Sequence, residues 1–260
     1  MKKRLFFLLV IPFLISASPL QQKHLAVISA LNSSSLVHDC SGDQKFGWSA
    51  ESITITDGSP AGCTDGSATT VTLGSTTLNS ASAIDGTYDL LFGQSQLATI
   101  ANFDNDEFNP ADFKIEYIGT ITTWATGARL LMIKNASDGD NYIYIGVYGS
   151  ATDIEFRTYW NGNATTDFTT VTNANWDEGD SFKITVRGKP GQGAATDDFE
   201  LAVCEVNPTT LAESNCETDT NQDDLQSWVL ATDTIYLGES AGAAQTARMG
   251  RIKIFGTSGF

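Results

Sequence analysis

The 260-residue sequence has little positive charge, because 15 Lys and Arg stand against 31 Asp and Glu, for a formal net charge of −16. Nucleic-acid binders need a basic surface that displaces counterions from phosphates, and docking onto anionic lipid needs clustered Lys or Arg. We therefore expect no nucleic-acid partner and no attachment to a membrane by charge. The apolar fraction of 41% is that of a globular chain, and excludes both a disordered protein and one with many membrane spans.

Histidine is almost absent, and this excludes several kinds of catalytic centre. The sequence has only His24 and His38, and both precede Cys40. The chain beyond Cys40 therefore lacks the histidine of a Ser-His-Asp triad, of a Cys-His pair and of a histidine-ligated zinc or copper site. Only carboxylate chemistry remains open to this part of the chain.

Long hydrophobic runs are absent except at the N-terminus. Residues 5–14 are apolar and follow Lys2, Lys3 and Arg4. This run is too short to span a bilayer comfortably and is typical of a signal peptide, with an uncleaved anchor as the alternative. The sequence predicts a signal peptide over residues 1–17 and a polar leader over residues 18–39 that contains a short helix. We expect a secreted protein, extracellular or periplasmic, with no membrane contact after cleavage.

The four cysteines are interpreted as crosslinks, since export favours disulfides. Cys40, Cys63, Cys204 and Cys216 allow three pairings, and they form no Cys-x-x-Cys motif and no zinc-binding spacing. The pairs close in sequence each enclose a modest loop rich in small and polar residues. We therefore expect Cys40–Cys63 and Cys204–Cys216.

Helical patterns are rare beyond the leader, whereas alternation of apolar and polar residues is frequent. Residues 217–219 are expected in a loop. Many short strands without crossover helices predict an all-β fold, a single antiparallel two-sheet sandwich over residues 40–260. The expected strands cover residues 52–56, 70–73, 113–121, 129–134, 142–148, 154–159, 182–187, 199–206, 235–237 and 251–255.

Three segments resemble one superfamily. Residues 108–116 resemble the Phe-Pro-x-Asp-Phe turn that opens a long strand in concanavalin A-like and laminin-G-like jelly rolls. Residues 176–180 resemble the Trp-x-x-Gly turn before a central strand of these domains. Leu237-Gly238 and residues 249–255 are similar to their last strand pair. The resemblance implies a jelly-roll sandwich that binds carbohydrate or protein, with glycan hydrolysis in some members and calcium at the rim in others.

The catalytic signature of the hydrolases in this superfamily, Glu-x-Asp-x-Glu, is not completed anywhere in the chain. Glu178-Gly179-Asp180, Asp153-Ile154-Glu155 and Glu217-Thr218-Asp219 each lack the third acid. We therefore predict no catalytic residues and a protein that is not an enzyme. A glycan hydrolase with a different carboxylate pair stays an alternative.

Aromatic residues cluster on one predicted sheet face. If residues 142–148 and 154–159 form a hairpin, then tyrosines, an acid and an arginine share its outer side. Aromatic faces stack on the C–H bonds of sugars, and charged groups hydrogen-bond to sugar hydroxyls. Ordinary cross-strand aromatic pairing, or cover by residues 40–84, would explain the same pattern without a ligand. The candidate ligand-binding residues are Tyr142, Tyr144, Tyr148, Glu155, Arg157 and Tyr159, with Trp124 and Trp160 at the rim.

Two acidic loops have the hard oxygen ligands that calcium prefers. Neither has the spacing of a helix–loop–helix calcium site, and solvated turns are the simpler interpretation. No cofactor is expected to be required, and calcium is the one ion that the sequence suggests. The candidate ligands are Asp104, Asp106, Glu107, Asp138, Asp140 and Asn141.

Taken together, these features predict a secreted, non-catalytic recognition module that binds a glycan or another extracellular polymer. The alternatives are a structural subunit that contacts neighbouring copies in an assembly, and the hydrolase described above.

Overall fold

The computed structural model describes residues 43–49, 70–80, 83–84, 88–103, 108–123, 127–135, 141–150, 153–162, 165–190, 199–221, 233–238 and 246–259. The chain divides into two compact units, residues 1–35 and residues 36–260, and all of the described residues belong to the second. The predicted signal peptide, the leader with its helix and the strand at residues 52–56 lie outside the described residues. In the part that is described, no helix has the length and apolar character needed to cross a bilayer.

The described part of the chain is built from β-strands and turns, without a helix. In chain order the strands are β1 (Gln44–Ser49), β2 (Thr70–Thr72), β3 (Thr77–Asn79), β4 (Asp89–Gly93), β5 (Ala98–Phe103), β6 (Phe113–Thr123), β7 (Ala128–Asn135), β8 (Tyr142–Ser150), β9 (Asp153–Gly162), β10 (Thr165–Thr172), β11 (Ser181–Gly188), β12 (Phe199–Val206), β13 (Glu213–Asn221), β14 (Asp233–Leu237) and β15 (Thr246–Phe255).

These strands form two antiparallel sheets. The first sheet has the order β13-β12-β11-β6-β15-β4-β3, and β1 also pairs with β15. The second sheet has the order β10-β9-β8-β7-β14-β5-β2. The prediction of an all-β, two-sheet antiparallel sandwich is therefore confirmed.

The strands form because their residues alternate between a buried and a solvated side. In β11, Phe182, Ile184 and Val186 are buried, whereas Lys183 and Arg187 are partly exposed. Each fully buried apolar side chain of this size stabilises the fold by roughly 1.5–3 kcal/mol relative to an exposed one. The apolar sides of both sheets contribute to one continuous core.

Trp160 lies in this core, so the prediction that it is a rim residue for ligand binding is wrong. Its side chain is 0% exposed and stacks on Phe113, with ring centroids 5.8 Å apart and an angle of 5° between the planes. Phe199 contacts it edge-on at 5.8 Å. The physical reason is strand alternation, since Trp160 has the same parity in β9 as the buried Phe156.

Trp176, in one of the turns that resemble the jelly-roll superfamily, is also buried. It packs edge-on against Phe156 and Phe182 at 5.4 and 5.7 Å, and its indole Nε1 donates a hydrogen bond to the carbonyl oxygen of Asn215 at 2.9 Å. The residue therefore holds the turn after β10 against the β12–β13 hairpin.

Residues 217–219 lie in strand β13, so the prediction of a loop there is wrong. β13 is the last strand of the first sheet and pairs with β12. Residues 213–220 are exposed on both sides of the strand, and they include Glu213, Glu217 and Asp219. A strand without a buried side has no apolar alternation by which a sequence pattern would reveal it.

Candidate functional site

The hairpin of β8 and β9 positions the candidate ligand-binding residues. Ile143, Ile145 and Val147 point into the core and are at most 1% exposed. Tyr142, Tyr144 and Tyr148 therefore point to the opposite side, as predicted. In the β8–β9 register Tyr144 is opposite Tyr159, and Tyr148 is opposite Glu155. Arg157 shares this side and is opposite Gly146.

Three of the tyrosine rings stack on one another with nearly parallel planes. Tyr144 and Tyr159 have ring centroids 5.2 Å apart, with an angle of 8° between the planes. Tyr142 lies 5.8 Å from Tyr159 and 6.1 Å from Tyr144. Such offset stacking contributes roughly 0.5–1.5 kcal/mol per pair beyond the burial of area. The rings therefore stabilise the hairpin whether or not a ligand binds.

Tyr144 is the most enclosed of the three, with 7% of its surface exposed. The guanidinium carbon of Arg129 lies 5.0 Å from its ring centroid, and its hydroxyl is 2.7 Å from the hydroxyl of Tyr148. Burial raises the pKa of the Tyr144 phenol above its ordinary value, and the hydrogen bond to Tyr148 acts in the same direction. Burial also raises the pKa of Tyr142. Both phenols therefore stay protonated at neutral pH.

A glycine makes room for the pair of hydroxyls. Gly146 lies between Tyr144 and Tyr148 on the same side of β8. A Cβ atom at this position would lie 3.1 Å from Cε2 of Tyr148, 3.3 Å from Cε2 of Tyr144 and 3.0 Å from the carbonyl oxygen of Ala128. These distances are tighter than ordinary van der Waals contacts, so a side chain here would push the two rings apart.

Arg157 lies between two aromatic rings and beside an acid. Its guanidinium carbon is 4.3 Å from the ring centroid of Tyr148 and 4.5 Å from that of Phe168. Its Nη2 donates to Oε1 of Glu155 at 2.6 Å. The arrangement fixes the orientation of the guanidinium and the carboxylate, and both side chains remain partly exposed.

Phe168, in β10, is a member of this cluster that the sequence analysis missed. It lies opposite Tyr159 in the β9–β10 register and has 49% of its surface exposed. It is the one exposed large apolar side chain among the residues that the structure describes. We call this solvent-facing part of the second sheet the tyrosine face, defined by Tyr142, Tyr144, Tyr148, Glu155, Arg157, Tyr159 and Phe168.

The remaining candidates fall mostly beyond the described parts of the chain. Trp124 and five of the six expected calcium ligands, Asp104, Asp106, Glu107, Asp138 and Asp140, lie outside the described residues. Asn141 is described and buried, and its carbonyl oxygen accepts a hydrogen bond from the backbone N–H of Asn135 at 3.0 Å.

The Cys204–Cys216 disulfide is present, as predicted, and joins β12 to β13. Cys40 and Cys63 lie outside the described residues. In the described ranges, Cys204, Glu213 and Cys216 are the one group of metal-ligand types whose ligand atoms lie within 4.8 Å of one another. Because the two sulfurs are bonded to each other, they are not thiolates, and the group is a crosslink next to an acid.

A groove of about 370 Å³ runs between the β12–β13 hairpin and the turn before β11. Asp180 and Glu205 both line it. Burial raises the pKa of Asp180, and the negative charges of Glu205 and Asp177 add to the effect. Glu205 Oε2 accepts a hydrogen bond from Asn215 Nδ2 at 2.6 Å. The groove is thus acidic and differs chemically from the tyrosine face.

Comparison with known proteins shows the fold. No family model matches the sequence, and no curated protein matches it. Among solved structures, the binding domain of Paraclostridial Mosquitocidal Protein 1 is similar, with a TM-score of 0.52, 11% identity and 83% of this chain covered. The binding domain of botulinum neurotoxin DC in complex with SialylT has a TM-score of 0.51, 14% identity and the same coverage.

A third similar structure is of botulinum neurotoxin type C, a protein whose cell entry depends on interaction with two ganglioside molecules. Its TM-score is 0.52, with 14% identity and 83% of this chain covered. This chain spans about half the length of these structures, with 49, 48 and 48% of their chains covered. At such identities the similarity establishes a shared β-sandwich architecture.

Proposed function

We propose that this chain is a secreted, non-catalytic recognition module that binds a glycan on the tyrosine face. The observation that carries the proposal is the exposure of Phe168, 49%, beside an oriented Arg157–Glu155 pair and a layer of tyrosines. An exposed aromatic ring next to fixed polar groups is the combination that sugars require, because their rings have both apolar C–H faces and hydroxyl rims.

The residues of the tyrosine face have different roles in the proposed binding site. Phe168 has an accessible ring on which a sugar stacks. Tyr142, Tyr148 and Tyr159 are partly exposed, and a phenol hydroxyl can both donate a hydrogen bond to a sugar hydroxyl and accept one from it. Tyr144 has too little exposed surface for a large contact, so it supports its neighbours from below. This differs from the sequence-based expectation, in which Tyr144 itself contacts the sugar.

The similar structures support the proposal by analogy. One of them is a complex with SialylT and another is of a toxin that interacts with ganglioside molecules, and this chain shares their sandwich architecture. We further propose that the domain belongs with the concanavalin A-like jelly rolls and acts outside the cell. The resemblance of its turns at residues 108–116 and 176–180 to that superfamily supports this assignment.

Glycan-array binding by the full chain tests the proposal. We expect binding to a subset of glycans that is lost in Phe168→Ala. The matched control is Phe255→Ala, which removes a partly exposed ring under Lys114 on the outer side of the first sheet. Thermal melting should show that both variants are folded.

Two results would count against the proposal. If Phe168→Ala and Tyr159→Ala bind every glycan as strongly as the wild type, the tyrosine face is not the binding site. If the bound glycan is cleaved, with release of reducing sugar, the chain is a hydrolase and not a recognition module.

A further inference from the structure

The strands in the middle of the first sheet are basic, although the protein as a whole is acidic. Strands β1, β6, β11 and β15 contain seven Lys or Arg and a single acid, Glu116. The apolar residues that alternate with these cations lie in the core, so the cations lie on the outer, solvated side of the sheet. We call this surface the basic face, defined by Lys45, Lys114, Lys183, Arg187, Arg248, Arg251 and Lys253.

Nearby acids neutralise only part of this charge. Four of the seven cations form ion pairs, which are Lys114–Glu116 at 3.1 Å, Lys183–Glu213 at 2.8 Å, Arg187–Glu200 at 3.3 Å and Arg248–Asp89 at 3.5 Å. The basic face therefore has three more cations than these pairs supply acids. Lys253 lies on its middle strand, with β1 on one side and β6 on the other, and its side chain is partly exposed.

The β12–β13 hairpin and the groove beside it have the opposite charge. Residues 191–246 contain no Lys or Arg, and Glu213, Glu217 and Asp219 are in the exposed strand β13. The groove of about 370 Å³ is lined by Asp180, Glu205 and Glu213. One chain thus has both a basic surface and an acidic cavity.

Negative charge inside the groove is incompletely balanced. Burial raises the pKa of Asp180, and the charges of Glu205 and Asp177 raise it further. Glu205 accepts a hydrogen bond from the amide of Asn215, which is a neutral donor and leaves the negative charge in place. A cation that enters the groove would offset the repulsion between these carboxylates.

We propose that the acidic groove of one copy of this chain binds Lys253 and the adjoining cations of the basic face of a second copy. Lysine suits such a groove, because its long flexible side chain carries a compact charge at the tip. Each copy uses its groove for one neighbour and its basic face for another, so the contact is heterologous. Contacts of this kind form a ring if the rotation closes and a filament if it does not.

The net charge of −16 opposes contact between copies at long range but not at the proposed interface. At an ionic strength of about 0.15 M, exposed charges are largely screened beyond about 8 Å. The repulsion between whole molecules is then damped, whereas the charges that meet at the groove are adjacent. Both surfaces also occur on every copy, so they are always present in equal amounts.

Sedimentation velocity of the full chain at about 0.15 M salt, from about 1 to about 100 µM, tests the proposal. We expect assemblies larger than a dimer that grow with concentration. Lys253→Glu on the basic face and Glu205→Lys in the groove should each weaken association at least about tenfold. In Glu205→Lys the new lysine lies beside Asp180 and fills the groove from within its own copy.

A mixture of the two variants gives the sharpest result. Lys253→Glu keeps an intact groove and Glu205→Lys keeps an intact basic face, so together they can form one proposed contact and no second one. We therefore expect each variant alone to be monomeric and the equimolar mixture to form a dimer of one copy of each. A contact between identical surfaces would not give this pattern.

Net charge is controlled in both directions. Lys134→Glu, on the outer side of the second sheet, makes the same charge change as Lys253→Glu and should leave association unchanged. Glu205→Lys lowers the net negative charge, which by itself would favour association, so a loss of assembly has a local cause. Thermal melting should show that all three variants are folded. Both test substitutions lie in the first sheet, so glycan binding by the tyrosine face should persist in them.

Several results would overturn the proposal. They are a wild-type chain that is monomeric at all concentrations, growth that stops at a dimer, equal weakening by Lys134→Glu, and a variant mixture that stays monomeric. A monomeric chain that binds polygalacturonate or vesicles of anionic lipid through Lys253 would also overturn it, because the basic face would then serve another polyanion. Loss of glycan binding with assembly intact would contradict only the function proposed above.

Discussion

At the scale of single residues, the side chains of the tyrosine face are held in place by contacts with one another and with Arg129. The Tyr144 hydroxyl is bonded to that of Tyr148, and its ring is covered by Tyr159 and Arg129. The face is therefore ordered before any ligand arrives, and binding orders few further side chains. Preorganisation of this kind lowers the entropy that a ligand must offset.

Substitutions at two neighbouring positions of β8 test which side of the strand faces the core. Tyr144→Phe should lower the free energy of unfolding by about 1 kcal/mol, because it removes one hydrogen bond and keeps the ring. Ile145→Ala should lower it by about 2–5 kcal/mol, because it leaves a cavity in the core. Urea denaturation measures both values. A larger loss for Tyr144→Phe than for Ile145→Ala would contradict the register described here.

The raised pKa of Asp180 predicts that its contribution to folding stability changes with pH in the opposite direction to that of most carboxylates. Its pKa is raised in the folded protein, so its contribution to stability is complete below the unfolded pKa and is lost as the pH rises through the folded pKa. Compared with Asp180→Asn, the wild type should therefore lose stability as the pH rises from the acidic range to neutrality. Chemical denaturation of both proteins across that range measures the difference, and parallel curves would contradict the expectation.

At the scale of strands, sequence alternation predicts those elements that have one buried and one solvated side. Alternation correctly places Tyr142 and Ile143 on opposite sides of β8. It also places Trp160 on the same side of β9 as the buried Phe156, which is where the structure has it. It fails where the contrast is weak. β10 has Thr169 and Val171 at its buried positions and Phe168 at an exposed one, so its pattern does not mark the inner side and Phe168 was missed.

The disulfide between β12 and β13 holds an edge strand in place, because β13 has little apolar packing of its own. Replacing both cysteines by serine should lower the free energy of unfolding by about 2–4 kcal/mol in the chain-entropy model. Hydrogen exchange should show the largest loss of protection in β13. Peptide mapping without reduction is the check on connectivity, and a Cys63–Cys204 link would contradict the pairing.

At the scale of the whole molecule, charge is distributed unevenly along the chain. Between Pro190 and Ala247 the sequence has no Lys or Arg. The fifteen cations are therefore confined to the rest of the chain, where Arg129 and Arg157 flank the tyrosines. A strongly acidic molecule thus has guanidinium groups at its candidate binding face.

The acidic segments at residues 104–107 and 138–141 lead to a prediction for the molecule as a whole. Calcium that binds one of them should raise the melting temperature, because a ligand that binds the folded state and not the unfolded chain stabilises the folded state. Differential scanning calorimetry in chelator and in millimolar calcium measures the shift, and magnesium at the same concentration is the control. Equal melting temperatures in all three would contradict the prediction of a calcium site in either segment.

The position of β15 has a consequence for the time at which the protein folds. β15 pairs with β6, β4 and β1, so the middle of the first sheet is completed by a strand that begins at Thr246, long after β6 ends at Thr123. During synthesis, β1, β4 and β6 emerge from the ribosome before the strand that joins them exists. Contacts between such distant segments form late and slowly. The first sheet is therefore completed only after residues 246–255 have been synthesised, whereas the local β8–β9 hairpin of the second sheet can pair earlier.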